Sequence, residues 1–189
     1  MTLEGIRVRL CPLSTDHTEE LCAAGLYESL WRFVPTMIRT REDMQSYVRV
    51  ALKSQEEGTA VPFVILEKSR TKVVGSTRYA NIDDINKRLE IGWTWLAPEW
   101  QQTHVNTESK YLLLRHAFEK LGCIRVEFKT DSLNEQSRNA LQRIGAHEEG
   151  TFRNHMIMPD GRYRHSVYYS IIGSEWPEVK LHLERKMQR

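Results

Sequence analysis

The chain has 189 residues, a formal charge of +2 and 40% hydrophobic residues. That is enough for one domain with a sizeable core, and the near-neutral charge with ample apolar content argues against disorder and against a dominant nucleic-acid role. Three cysteines, Cys11, Cys22 and Cys123, are odd in number, widely spread and free of C-x-x-C spacing, so they read as reduced thiols in a cytoplasm rather than as a disulfide framework or a zinc site.

Thr2 to Arg9 is mixed and charged, unlike a signal peptide, and no apolar run approaches the roughly 20 residues of a membrane span. Ile6 to Leu10 alternates apolar and basic residues as a half-buried strand does. Asp16 to Leu30 predicts a helix capped by Ser14, Thr15 or Asp16. A second helix starts at Thr40 and runs to about Gln55, with Gly58 ending it. Phe63 to Leu66 and Val73 to Ala80 read as strands joined by a polar turn at Ser69 to Lys72, and Leu89 to Leu96 as a strand stopped by Pro98. Asn106 or Thr107 is the expected cap of the next helix, with Glu108 in its first turn. The apolar stripe of that helix runs Leu114, Ala117, Phe118 and Leu121, and Gly122 suits its end. Cys123 to Thr130 alternates again as a strand. Asn134 to Ile144 is a further helix ended by Gly145, and the last hairpin is Phe152 to Met158, Pro159-Asp160-Gly161 and Tyr163 to Ile172. Glu184-Arg185-Lys186 reads as a solvated helix face or a frayed end. With no repeat or linker, the expectation is a single domain over residues 1–189. Its order, β-α-α-β-β-β-α-β-α-β-β, makes an α/β (α+β) fold with a mixed, mostly antiparallel central sheet and helices on both faces.

The stretch from Leu89 to Gly145 is the most informative. A strand runs into a short polar loop, and the loop becomes a helix N-terminus, where first-turn amides lack partners and the helix dipole favours an anion. The loop, Gln101 to Thr107, contains no glycine. It can still hold an anion through backbone amides if its φ values are negative and the side chains at 102 and 104 point away.

Five passages carry a resemblance: Glu90-Ile91-Gly92-Trp93, Trp95-Leu96-Ala97-Pro98-Glu99-Trp100-Gln101, Asn134-x-x-Ser137, Arg143-x-Gly145-Ala146 and the closing hairpin. In this order they resemble the GNAT N-acetyltransferase superfamily, and within it the RimJ/RimL-like branch of ribosomal-protein-alanine N-acetyltransferases. The resemblance covers nearly the whole chain and implies a GNAT-like sheet of about seven strands, acetyl-CoA as cosubstrate, no metal, and transfer of an acetyl group to a primary amine by direct attack in a ternary complex. The acceptor is either a protein N-terminus or a small-molecule amine. Many relatives are dimers, and the final hairpin could supply a homodimer interface. The family's cofactor pattern is Gln/Arg-x-x-Gly-x-Gly/Ala. Gln101 matches its first position, while His104 and Asn106 stand where glycine and a small residue belong.

Acetyl transfer needs positioning, a neutral amine, a donor for the developing oxyanion and a proton for the departing thiolate. By the resemblance, the strand end at Trp95 and Leu96 pairs with the pantetheine arm. Gln101, Gln102, Thr103, His104, Val105, Asn106 and Thr107 hold the pyrophosphate, and Asn134 and Ser137 contact the pantetheine, with Ser137 near the sulfur. Asn134 could equally be a plain N-cap. Strand alternation puts Glu90, Gly92, Thr94 and Leu96 on one face and Leu89, Ile91, Trp93 and Trp95 on the other. Glu90 is then the candidate base, against a plain ion pair with Arg78 or Arg88. Ser137, Tyr168 or Tyr169 is the candidate acid. Trp31 and Phe33 either line the acceptor side or belong to the core. His104 could meet a phosphate or stay exposed, and His116 reads as a surface residue. Two other classes remain open: a non-catalytic acyl-CoA-binding or sensing module on the same fold, motivated by the glycine-free loop, and a nucleic-acid-associated protein, for which no basic-aromatic stripe speaks.

Overall fold

In the computed structural model, which describes residues 1–188, the chain forms an eight-stranded sheet with five α-helices. The elements are β1 (Leu3–Glu4), β2 (Val8–Pro12), α1 (Thr18–Gly25), α2 (Arg41–Glu56), β3 (Ala60–Glu67), β4 (Lys72–Asp83), β5 (Arg88–Leu96), α3 (His104–Glu119), β6 (Arg125–Asp131), α4 (Glu135–Arg143), β7 (His147–Ile157), β8 (Tyr163–Ile172) and α5 (Trp176–Met187). The spatial order is β1-β2-β3-β4-β5-β6-β8-β7. Every neighbouring pair is antiparallel except β5 and β6, which run parallel because α3 crosses between them. One strand more than the expected seven arises from Leu3–Glu4, too short to show a period.

The helices divide between the faces by the alternation of β4. Ser76 and Arg78 reach Tyr47 of α2, whereas the Tyr79 hydroxyl donates to the Leu113 carbonyl of α3 at 2.7 Å. α1 and α2 therefore cover one face over β3 to β5. α3 covers the other, with α5 docked on it: Trp176 stacks on Phe118 and the Tyr111 hydroxyl donates to Glu184 at 2.7 Å. The C-terminal segment is thus a packed helix, and Glu184 is held rather than frayed. Trp31 is core, edge-on to Tyr47 and 5.5 Å from the Trp95 ring. Phe33 is half-buried and gives its carbonyl to Arg164. The long first helix expected from Asp16 to Leu30 is broken: α1 ends at Gly25 and a 3-10 turn spans Glu28–Leu30. A Cβ at Gly25 would meet the Trp95 ring at 2.8 Å, so glycine there lets the helix end close over the indole. The second helix is as expected, with Thr40 and Asp43 forming a capping box.

β4 and β5 leave no room for a side chain at Gly75, where a Cβ would collide with the Trp95 carbonyl oxygen. Since backbone is the obstacle, Gly75→Ala should destabilise the fold by about 1–3 kcal/mol in urea unfolding; an unchanged midpoint would show that the two strands can separate there without cost.

Candidate active site

β5 and β6 pair only at Arg88 with Arg125, Leu89 with Val126 and Glu90 with Glu127. Beyond Glu90, β5 continues to Leu96 bonded only to β4, and β6 continues to Asp131 bonded only to β8. Each leaves one edge without a strand partner among the described residues. A bulge in β5 accompanies the parting. Ser76 faces Trp95 and Arg78 faces Gly92, so Trp93 and Thr94 together oppose Thr77, and Trp93 takes a left-handed φ of 49°. The extra residue resets the alternation expected for this strand. Glu90, Trp93 and Trp95 share the α2 face: Arg78 lies between the rings of Tyr47 and Trp93, and the Trp95 indole donates to the Tyr47 hydroxyl at 3.3 Å. Thr94 turns to the α3 face with Ile91.

The loop at the mouth of this opening is shorter than expected, because α3 begins at His104. Its cap is Thr103, not Asn106 or Thr107. Extended at φ −100°, Thr103 accepts from the Val105 amide at 3.3 Å and donates its hydroxyl to the Trp100 carbonyl at 2.7 Å. His104, Val105, Asn106 and Thr107 are therefore the first turn of the helix, which carries no acidic residue. Glu108 lies one turn in, buried, accepting from the Arg7 amide. The condition of negative φ is not met at Gln102, which sits at φ +61° without being glycine, while Thr103, the cap of α3, is extended at φ −100°. His104 packs edge-on against Trp100, with its Nε2 buried and unpartnered, and so turns toward the protein rather than being exposed. His116, also half-buried, stacks on Tyr79.

Gln101 ties the two sides of the opening together. Its Nε2 donates to the Leu96 carbonyl at 3.1 Å, and its Oε1 accepts from Gln136 of α4 at 3.0 Å. On α4, Asn134 is an N-cap whose Oδ1 accepts from the Ser137 amide at 3.0 Å. Ser137 is half-buried. The loop, the end of β5 and the start of α4 are thus adjacent, as the sequence order suggested.

Glu90 stands at the apex, the last β5 residue to pair with β6. It is 3% exposed, and it accepts from Asn81 Nδ2 at 2.8 Å and Lys129 Nζ at 3.3 Å, not from Arg78 or Arg88. Its carboxylate lies over Gly92, where a Cβ would come within 2.8 Å. It lines an open cleft of about 980 Å³ with Asn81, Arg88, Glu127, Phe152 and Tyr168. The two tyrosines separate here. Tyr168 faces the cleft beside Lys129, whereas the buried Tyr169 donates to Glu148 at 2.7 Å and accepts from Arg138 on the opposite face. Burial raises the Tyr169 phenol above its ordinary value.

Lys110 was not singled out by the sequence. It stands four residues before Leu114, on the inward stripe of α3, and is 5% exposed. Its Nζ donates to Thr94 Oγ1 at 2.8 Å and lies 5.5 Å from the centre of the Phe128 ring. Thr94 and Thr77 share a further bond at 2.8 Å. Burial pushes the Lys110 ammonium down to about 7, with Glu90 opposing the shift. Its one available clue was a charge at a core position. Among the described residues, no group of three or more His, Cys, Asp or Glu gathers in a way that could hold a metal, and no helix is long and apolar enough to cross a membrane.

A sheet parted at a bulge thus leaves a free strand edge leading to a helix N-terminus whose first turn carries no acidic residue. Residues 7–147 match the family model described as acetyltransferase (GNAT) domain, and the chain belongs to that family. It is 31% identical to a GCN5-related N-acetyltransferase from Brucella melitensis, with a TM-score of 0.92 over 99% of this chain and 85% of the other. The fold is also that of Mycobacterium smegmatis RimJ in complex with CoA-disulfide, at 21% identity and a TM-score of 0.85, covering 98% and 94% of the two chains. A provisional ribosomal N-acetyltransferase, YdaF of Bacillus subtilis (strain 168), is 36% identical over 100 residues, 53% of this chain and 54% of that one. The match thus spans about half the length of the curated relatives.

Replacing Gln102 by glycine should relieve left-handed strain and leave stability equal or raised, by up to about 1 kcal/mol in urea unfolding; a clear loss would mean that the glutamine side chain is needed. Lys110 gives a second expectation. Below about pH 7 folded and unfolded chains both carry its proton. Between about 7 and the ordinary 10.5 the unfolded chain holds more, so this group's contribution to stability rises with pH through that window. Lys110→Met should therefore be more stable than the parent at pH 6, on the order of a few kcal/mol, with the difference shrinking toward pH 10.

Proposed function

We propose that the chain, folded as one domain, is an acetyl-CoA-dependent N-acetyltransferase of the RimJ/RimL-like type. It moves an acetyl group to a primary amine by direct attack while both substrates are bound. The observation that carries this is the parting of β5 from β6 after Glu90, which leaves a free strand edge leading to the N-terminus of α3. The residues present fit acyl-CoA. The edge from Gly92 to Leu96 offers backbone groups to the amides of a pantetheine arm, and the acid-free first turn of α3, from Thr103 to Asn106, offers its amides to a diphosphate, that of Val105 being shared with the Thr103 hydroxyl. Asn134 and Ser137 stand on the facing helix. The likeness to YdaF and the RimJ fold support the branch. When bound, acetyl-CoA supplies the activated acyl carbon.

Glu90 is the base. Its carboxylate is held by Asn81 and Lys129, opens on the cleft and sits where the strands divide, so an ammonium entering the cleft meets it, directly or through water. Five carboxylates against two guanidiniums line that cleft, which favours an acceptor arriving as a cation, whether a protein N-terminus or a small amine. Tyr168 borders the same space and Tyr169 does not, which leaves Ser137 and Tyr168 as hydroxyls near the reaction.

Incubation with acetyl-CoA and a panel of N-terminal peptides and small amines should release free thiol. Glu90→Gln should lower kcat about 100-fold or more at neutral pH, with less loss at high pH where the amine is already neutral. Binding of CoA without turnover across a broad panel would instead identify a sensing module.

A further inference from the structure

We infer that Lys110 is the acid of the transfer, giving its proton to the thiolate that leaves when the acetyl group passes to the amine. The inference rests on the acetyltransferase reading above and adds to it a residue on the opposite face of the sheet from Glu90.

Lys110 Nζ is bracketed by Thr94 of β5 and Phe128 of β6. Both residues lie past the last rung joining the two strands, Glu90 with Glu127. The ammonium therefore sits beneath the opening itself, reached from the α3 side. It donates to Thr94, a residue that the bulge at Trp93 has turned toward α3. Without the bulge, Thr94 would face α2 and the lysine would have no acceptor there. The same distortion that parts the strands thus also seats the lysine.

An apolar side chain on this inward stripe would pack without penalty, while a buried cation with a hydroxyl and an aromatic face for company is held against a stability gradient. Carboxylate pairing does not explain it, since the charge that bears on it is that of Glu90, already bound by Asn81 and Lys129. The groups placed about it are the Thr94 hydroxyl, which Thr77 of β4 bonds in turn, and the Phe128 ring of β6.

The amine nitrogen forms a bond to the acyl carbon and gives up a proton on the Glu90 side. The carbon–sulfur bond breaks, and the sulfur takes a proton from Lys110 Nζ, which is restored from solvent. An acceptor that enters as an ammonium loses two protons in all, one before attack and one after, both passed by Glu90 to solvent; the sulfur takes one from Lys110, which regains it from solvent, so that one proton is released per turnover. A lysine lowered to about 7 gives its proton readily to a thiolate whose thiol has an ordinary value of about 8.5.

The test uses CoA itself and reads its thiolate by ultraviolet absorbance in the complex as pH is raised. Because Lys110 itself titrates at about 7, the two groups ionise as a pair, and bound CoA in the parent should show an early fraction of thiolate near pH 7, ahead of the main step of free CoA. Lys110→Met should lose that early fraction. The same variant should lower kcat about 100-fold, change KM for acetyl-CoA only a few-fold, and lose the alkaline fall in the kcat profile. Thr94→Val, which removes the lysine's acceptor and keeps its charge, should give a smaller change and a smaller loss, and it carries the test if the methionine variant fails to fold. Equal thiol titration in parent and variants, or full activity of Lys110→Met, overturns the inference while leaving the acetyltransferase reading intact. Failure of the parent to bind CoA by calorimetry would overturn that reading first.

Discussion

The structure turns on one irregularity, the single extra residue in β5 opposite Thr77. A regular β5 would lie beside β6 along its whole length, and the sheet would be closed. With the bulge, pairing stops at Glu90, the strands separate, and two backbone edges are left open in the middle of a sheet. Unpaired buried backbone is costly, so such an opening persists only where something else can occupy it. Gln101 already meets part of that demand by donating to the Leu96 carbonyl.

Several features that work against stability gather around this point. Trp93 and Gln102 hold left-handed φ angles without being glycine, His104 buries an unpartnered ring nitrogen, and Lys110 buries a cation. Elsewhere the sheet and helices follow ordinary rules: the α2 capping box, the apolar layer between β4 and α3, and α5 docked through Trp176. Left-handed φ occurs also at Thr71, Asn81, Lys87 and Asn154, so it is the gathering of two such residues with a buried cation and an unpartnered ring nitrogen that marks this place as shaped for something other than folding. The charge layout agrees. A carboxylate faces an acidic cleft on one side of the sheet, and an ammonium lies below the parted strands on the other.

Much of this was legible beforehand, and the misses share a cause. Gly58, Gly122 and Gly145 end their helices at positive φ, as their positions implied, because a left-handed terminus is a local demand that only the backbone decides. The strands were recognisable from alternation in β2 and β6. Alternation failed in β5 because Trp93 and Thr94 look like two more steps of a regular strand; the bulge is set by pairing with β4, which no local pattern records. The cap of α3 is Thr103, three or four residues before the expected Asn106 or Thr107, since all three are competent caps. The 3-10 turn at Pro98–Trp100, which brings the Trp100 carbonyl to the Thr103 hydroxyl, chose among them. Lys110 interrupts the apolar stripe of α3 with a charge, and that mismatch, the kind of local conflict that marks a site, is the signal its sequence carries. The roles of Tyr168 and Tyr169 could not be separated until β8 was placed between β6 and β7.

The central claim is that CoA occupies the opening between β5 and β6 and that the start of α3 holds its diphosphate. Amide hydrogen exchange with and without CoA tests it directly. Saturating CoA should slow exchange at Trp93 to Leu96 and at Thr103 to Asn106, and leave β1 to β3 unchanged. Binding that protects neither segment, or protects only the outer hairpin of β7 and β8, would contradict it.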